Sequence, residues 1–431
     1  LEKINALLQG EIVNYSENKP ALHSALRVQQ TDPIHVNGHN IIPAVLQTRT
    51  KMQEISEAIR QSAWTGFSGK PIRDIVNIGI GGSDLGPRFY LYALKNYVTP
   101  NLKFHFISDS DPQAFSDTVA SLNPETTLFI ISSKSFTTKE TIYNAGKAFL
   151  WLGNLQNRQQ QVIAITAYPE RAQAHGIHHI LPIWDWVGGR FSACSAINLI
   201  TAIAIGFEQF SQLLMGANHM DNHFRETDFK SNLPVLLALI GIWNNNFLGI
   251  HNLLILTYSR RLDFFVNYIQ QLDMESNGKS IDNQGNAVNY ATVPIIWGGP
   301  GNQAQHSYYQ LLCQGTHKIA ADFITLSNFQ SELINAFCRD KQHVLVHGVV
   351  EPNNPSGFIP GNVPLNHIEL TDCSPYSIGA LTALYEHKTY TQSVIWNINA
   401  FDQPAIESAK RNSISFNPVK DKQPEYQSID L

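Results

Sequence analysis

Two stretches of this chain gather the groups that hold an anionic ligand. The run Ser132-Ser133-Lys134-Ser135-Phe136-Thr137-Thr138-Lys139-Glu140-Thr141 places six hydroxyls and one early lysine ahead of a helical pattern. Hydroxyls and free backbone N–H groups at a helix start, with Lys134 as a point charge, match what a phosphate monoester needs. No Walker A core of Gly-Lys-Ser/Thr is present, and the plainer reading is a Ser/Thr-rich cap with Glu140 in the first turn. The second stretch is Gly79-Ile80-Gly81-Gly82-Ser83-Asp84-Leu85-Gly86. Its glycines allow close backbone approach, but the dinucleotide fingerprint is out of register, and a tight turn capped by Asp84 or Ser83 fits as well.

Three further segments carry single charged groups. Trp184-Asp185-Trp186-Val187-Gly188-Gly189-Arg190 sets an arginine after a Gly-Gly turn, where a structural pair with Asp185 is the bland alternative. Asp273-Met274-Glu275-Ser276-Asn277-Gly278-Lys279 reads as a turn after a helix over Arg260–Leu272, with its acids as caps. Gly298-Gly299-Pro300-Gly301 leads His306 into a helix over Gln305–Cys313, a place where a histidine is commonly a cap. His175, His178 and His179 lack a nearby carboxylate pattern, so no metal site is expected.

The elements that must position these groups recur along the chain. Apolar runs at Ile75–Ile80, Lys103–Ile107, Thr127–Ile131 and Val162–Thr166 each lead into a helical pattern. A second series follows at Leu253–Thr257, Val293–Trp297, Ile319–Thr325 and Val344–His347. Short buried strands alternating with helices imply parallel α/β sheets, and two series imply two α/β domains. We place these at 1–210 and 211–412, with a polar tail over 413–431 and a long loop at Pro352–Pro364. Ligands in such sheets lie beyond the C-terminal strand ends, which is where the loops above fall.

Composition narrows the class. Of 431 residues 43% are hydrophobic, enough for a sizeable core, and the net charge of -5 gives no general attraction to nucleic acid or anionic membrane. The apolar stretch Leu233–Leu256 is interrupted by Asn244, Asn245, Asn246, His251 and Asn252, and reads as a core helix followed by a buried strand. Four widely spaced cysteines, Cys194, Cys313, Cys338 and Cys373, suit reduced thiols in a cytoplasmic protein.

Taken together the segments resemble the glucose-6-phosphate isomerase (phosphoglucose isomerase) family. One family signature looks like Asp185 through Asn198 (DWVGGRFSACSAIN), the other like Ser393 through Lys410 (SVIWNINAFDQPAIESAK). DMESNGKS at 273–280 and GNQAQHSYYQLLCQGT at 301–316 lie between them in the family's order. Ala405 stands where the second signature usually has Gly, Pro404 where it commonly has Trp, and Ser135 where the phosphate loop usually has Thr.

The resemblance implies two sugar-isomerase (SIS) α/β domains, each a parallel sheet flanked by helices, and aldose–ketose isomerisation of glucose 6-phosphate and fructose 6-phosphate. It implies neither metal nor organic cofactor. It further implies a homodimer in which His306 reaches into the partner's site. By family match Glu275 is the base that moves the carbon-bound proton, His306 and Lys410 serve ring opening, and Arg190 faces the enediolate. Ser133, Lys134, Ser135 and Thr138 would hold the phosphate with Gly82 and Ser83 close by, and Gln271 and Gln403 would bond sugar hydroxyls. Three other readings stay open: an isomerase that also accepts mannose 6-phosphate, a sugar-phosphate sensor without catalysis, and a nicotinamide-dependent enzyme using Asp109 or Asp111 for a ribose.

Overall fold

The computed structural model describes residues 1–29, 32–327 and 331–412, so the tail expected over 413–431 lies outside the described residues. Nine strands position the site: Asp74–Ile78 (β1), Lys103–Ile107 (β2), Thr127–Ser132 (β3), Val162–Thr166 (β4), His179–Pro182 (β5), Asn252–Thr257 (β6), Ile295–Pro300 (β7), Ala320–Leu326 (β8) and Leu365–Leu370 (β9). The first five form one parallel sheet in the order β2-β1-β3-β4-β5. The other four form a second parallel sheet in the order β9-β8-β6-β7.

Strand residues alternate between faces, and that period of two divides the core. In β3 and β4, Leu128, Ile130, Ile163 and Ile165 enter one large apolar cluster, while Phe129, Ile131, Val162 and Ala164 enter an outer one. The second sheet divides in the same way, with Leu253, Ile255 and Ile324 on the large cluster and Leu254, Leu256 and Phe323 on an outer one. One face of each sheet thus shares a common core, completed by helices Phe207–Glu226 and Pro375–Ile395, which lie along each other. The expected junction at 210/211 falls inside the first of these helices.

A buried ion cluster sits in that core. The buried Arg27 guanidinium donates to both Asp221 oxygens at 2.8 and 2.7 Å and to Glu386 at 2.5 Å. Burial pushes the Glu386 carboxyl up to about 7 even with Arg27 against it.

Three local expectations need correction. Val344–His347 is no strand; it closes the helix Glu332–His347, where Cys338 and Leu345 recur at helical spacing on the buried side. The fourth strand of the second sheet is β9, which among the described residues pairs only with β8 and alternates accordingly. Gln270–Glu275 is no turn but a π-helical continuation of Phe265–Ile269. Finally, His306 sits in a turn between the short helices Gly301–Ala304 and Tyr309–Gln314 rather than inside one helix.

Candidate active site

All strands of the first sheet run the same way, so the loops after β1, β3 and β5 emerge at one edge. Their approach is backbone to backbone. A Cβ on Gly82 would lie 1.9 Å from the Gly189 carbonyl oxygen, which leaves room for glycine alone. Asn77 at the end of β1 ties two of the loops: its amide donates to the Ser83 carbonyl at 2.9 Å and accepts from the Ser132 hydroxyl at 3.0 Å. Asp84 stands at the N-cap position of helix Leu85–Ala93, but its carboxylate holds Arg88 at 2.7 Å instead of capping.

The loop after β3 folds on itself before helix Lys139–Leu152. Ser133 Oγ accepts the Phe136 N–H at 3.1 Å and lies 3.4 Å from Thr138 Oγ1. Phe136 holds a φ of 50°, a left-handed backbone uncommon for a bulky residue, while its ring is buried. Thr138 takes the N-cap position without a side-chain cap bond, so its hydroxyl and the first helical N–H groups can serve a ligand. Lys134 Nζ donates to the Asp185 carbonyl at 2.9 Å, and burial lowers its pKa against the opposing pull of Asp185.

Arg190 is buried and makes four hydrogen bonds. Its Nε donates to Ser276 Oγ at 2.7 Å, Nη1 to Gln403 Oε1 at 2.9 Å, and Nη2 to the carbonyls of Ala400 and Asp402 at 2.6 and 2.9 Å. Its carboxylate partner is Glu275, with Nη1 and Oε2 3.6 Å apart, and not the neighbouring Asp185. Burial lowers the Arg190 pKa, yet a guanidinium stays cationic near neutrality. The π-helical segment bearing Glu275 is fastened from below. Buried Asp273 pairs with Lys388 and accepts from Asn277 Nδ2 at 3.2 Å and Thr389 Oγ1 at 3.3 Å. A π turn widens the helix by one residue and re-aims the side chains that follow, as at many functional sites.

These pieces enclose a cavity of about 590 Å³. Gly82, Ser83, Ser133, Lys134, Ser135, Thr138, Arg190, Gln271, Glu275, Gln403 and Lys410 all line it. Every expected site residue except His306 is therefore brought together in one chain; His306 stands exposed in its turn and is not on the cavity wall. Asp109 and Asp111 take no part: Asp111 caps helix Pro112–Val119, and Asp109 Oδ1 accepts the Asp111 N–H at 2.9 Å. His175 packs on Phe136 and Phe149, and His179 on Trp64.

The structure adds residues not singled out above. Glu17 and Lys19 join the wall from an N-terminal segment anchored far along the chain, where Ser16 Oγ donates to Asp402 at 2.5 Å and Asn399 Nδ2 to Asn14 at 2.9 Å. No local pattern announces such a contact. Glu140 also lines the cavity, and the hydroxyl run containing it was the available signal.

The family model described as phosphoglucose isomerase matches residues 1–425. A protein of Legionella pneumophila (strain Paris) named glucose-6-phosphate isomerase is 62% identical over 409 residues, covering 95% of this chain and 82% of that one. A protein of the same name from Psychrobacter cryohalolentis is 42% identical over 442 residues, covering 95% and 80%. The crystal structure of a glucose-6-phosphate isomerase from Chlamydia trachomatis superimposes with a TM-score of 0.88 at 31% identity, covering 95% of this chain and 81% of that chain.

Proposed function

Because the chain belongs to the phosphoglucose isomerase family and interconverts glucose 6-phosphate and fructose 6-phosphate, a step of glycolysis, we propose that the cavity described above is where it does so. The observation that carries this reading is the Glu275 carboxylate held 3.6 Å from the buried Arg190 guanidinium, in the same cavity as the hydroxyl loop after β3.

The chemistry follows from the groups. Ring opening moves the anomeric hydroxyl proton away and supplies one to the ring oxygen, work suited to His306 with Lys410 as the cationic partner. Glu275 then takes the proton from C2 of the open aldose. The C2–H electron pair becomes the C1–C2 double bond, and the former carbonyl oxygen carries the negative charge beside Arg190. The C2 hydroxyl proton passes to the C1 oxygen, and return of the carbon-bound proton from the same carboxylate to C1 then leaves the carbonyl at C2. Gln271 and Gln403 hold sugar hydroxyls. Phosphate binding by Ser133, Lys134, Ser135 and Thr138, with Gly82 and Ser83 beside them, fixes a flexible open chain against these groups.

The same reading assigns a homodimer in which His306 completes the partner's cavity. Its support is the exposed placement of His306 and an exposed apolar face elsewhere on the chain. Leu239, Ile240, Trp243 and Phe247 share one side of a helical run, Trp243 and Phe247 stack at 5.0 Å, and they are 56% and 69% exposed. We further assign the enzyme to the cytoplasm, in keeping with its free cysteines. No helix among the described residues is long and apolar enough to cross a membrane.

A coupled assay, fructose 6-phosphate in and glucose 6-phosphate out, tests the activity. The phosphate loop is tested separately. Lys134→Ala with Thr138→Val should weaken a non-reactive six-carbon sugar phosphate by at least about tenfold in titration calorimetry, since a charge-assisted bond and a hydroxyl are lost together. An unchanged dissociation constant means the loop is only a helix cap.

A further inference from the structure

Behind Arg190 lies a second cation with no place in the reaction as described. The Lys279 ammonium donates to the Ser276 carbonyl at 2.7 Å, Asn399 at 2.8 Å and Asp402 at 3.0 Å, and lies 3.3 Å from the Glu275 carbonyl. It also pairs with the Asp402 carboxylate at 3.1 Å. An ammonium has three protons, so these contacts are shared among more acceptors than it can satisfy singly. Two elements meet on it: the end of the helix bearing Glu275, and the loop from Asn399 to Gln403. That loop also supplies the Ala400 and Asp402 carbonyls that orient Arg190, and the Asp402 oxygen accepts from both cations.

We propose that Lys279 is a positioning residue, whose ammonium pins the Glu275 helix end to the Asn399–Gln403 loop and so sets the Glu275–Arg190 separation. This rests on the reading of Glu275 as base and Arg190 as its charge partner. Lys279 does not touch the reaction cavity; it lines a neighbouring one of about 1260 Å³, of which Glu275 is a shared wall. It can therefore act on the reaction only through the groups it holds.

The charges facing it make the clamp sensitive to pH. Arg190 faces it from the turn after Gly188, Asp402 from the loop, and Glu275 from its own helix. Burial, reinforced by Arg190, pushes its pKa down to about 8 against the opposing pull of Asp402 and Glu275. The protonated form carries the clamp, so the clamp is present below that value and is lost as pH rises through it.

The test compares kcat and KM for fructose 6-phosphate from pH 6 to 10 in the wild type, Lys279→Met, Lys279→Arg and Asp402→Asn, with melting curves for each. Lys279→Met should keep KM within a few-fold and lose on the order of 10²-fold in kcat, the effect of displacing reacting groups by about 1 Å. Lys279→Arg, which stays charged, should recover much of that loss and carry the alkaline fall to higher pH. Asp402→Asn, nearly isosteric, removes the counter-charge and should move the fall to lower pH. Wild-type kcat in Lys279→Met overturns the proposal. Should that variant not fold, an alkaline limb in Asp402→Asn identical to the wild type overturns it equally. An active Glu275→Gln would sink the underlying reading instead, so the two failures are distinguishable.

Discussion

Glu275→Gln abolishes isomerisation while binding stays within a few-fold. The amide keeps the size of the carboxylate and part of its hydrogen bonding, so the cavity wall and the Arg190 contacts to Ser276, Gln403, Ala400 and Asp402 survive. What is lost is the acceptor for the carbon-bound proton. General base catalysis contributes about 10²–10⁴-fold, so kcat should fall by at least the lower figure. The fall should appear in kcat and not in KM, because the group acts between the bound states. Near-normal kcat removes Glu275 from the role of base.

The second large effect concerns His306. Within one chain it stands outside the cavity that gathers every other expected group. His306→Ala should slow turnover of the cyclic substrate far more than enolisation of an open-chain one, since the latter needs only Glu275 and Arg190. If each cavity takes His306 from the partner, two inactive variants repair each other. A mixed dimer of Glu275→Gln and His306→Ala holds one site with both defects and one with neither. Full random exchange makes half the dimers mixed, so activity should recover toward about a quarter of wild type for an isologous pair. Exchange confirmed by mass spectrometry with no recovery places both residues in the same subunit's site.

How much of this was legible depends on where each contact is made. Lys103–Ile107 and Val162–Thr166 are strands as read. Val162–Thr166 is buried on both faces, and a continuous apolar run is then its whole signal. Leu365–Leu370 escaped because an edge strand alternates: Asn366, His367 and Glu369 interrupt its apolar positions. Val344–His347 misled for the opposite reason, since a short apolar run cut from its helix looks like a strand, although Leu345 is its one buried residue. The hydroxyl loop could be read directly because its ligand groups are neighbours in the chain. Arg190, Glu275, Gln403 and Lys410 are scattered over more than half the chain, so only resemblance to a family connected them. The clamp made by Lys279 and the placing of Ser16, Glu17 and Lys19 beside the cavity were not legible. Their meaning lies in carbonyls and side chains supplied from the other end of the sequence.

The central claim is that one carboxylate, Glu275, moves the proton between C2 and C1. Its most direct test is deuterium uptake at those carbons, followed by proton NMR in heavy water with wild type, His306→Ala and Glu275→Gln. The account predicts exchange in the wild type, exchange in His306→Ala when the substrate is supplied open-chain, and none in Glu275→Gln with either form. Exchange by Glu275→Gln at the wild-type rate would contradict it.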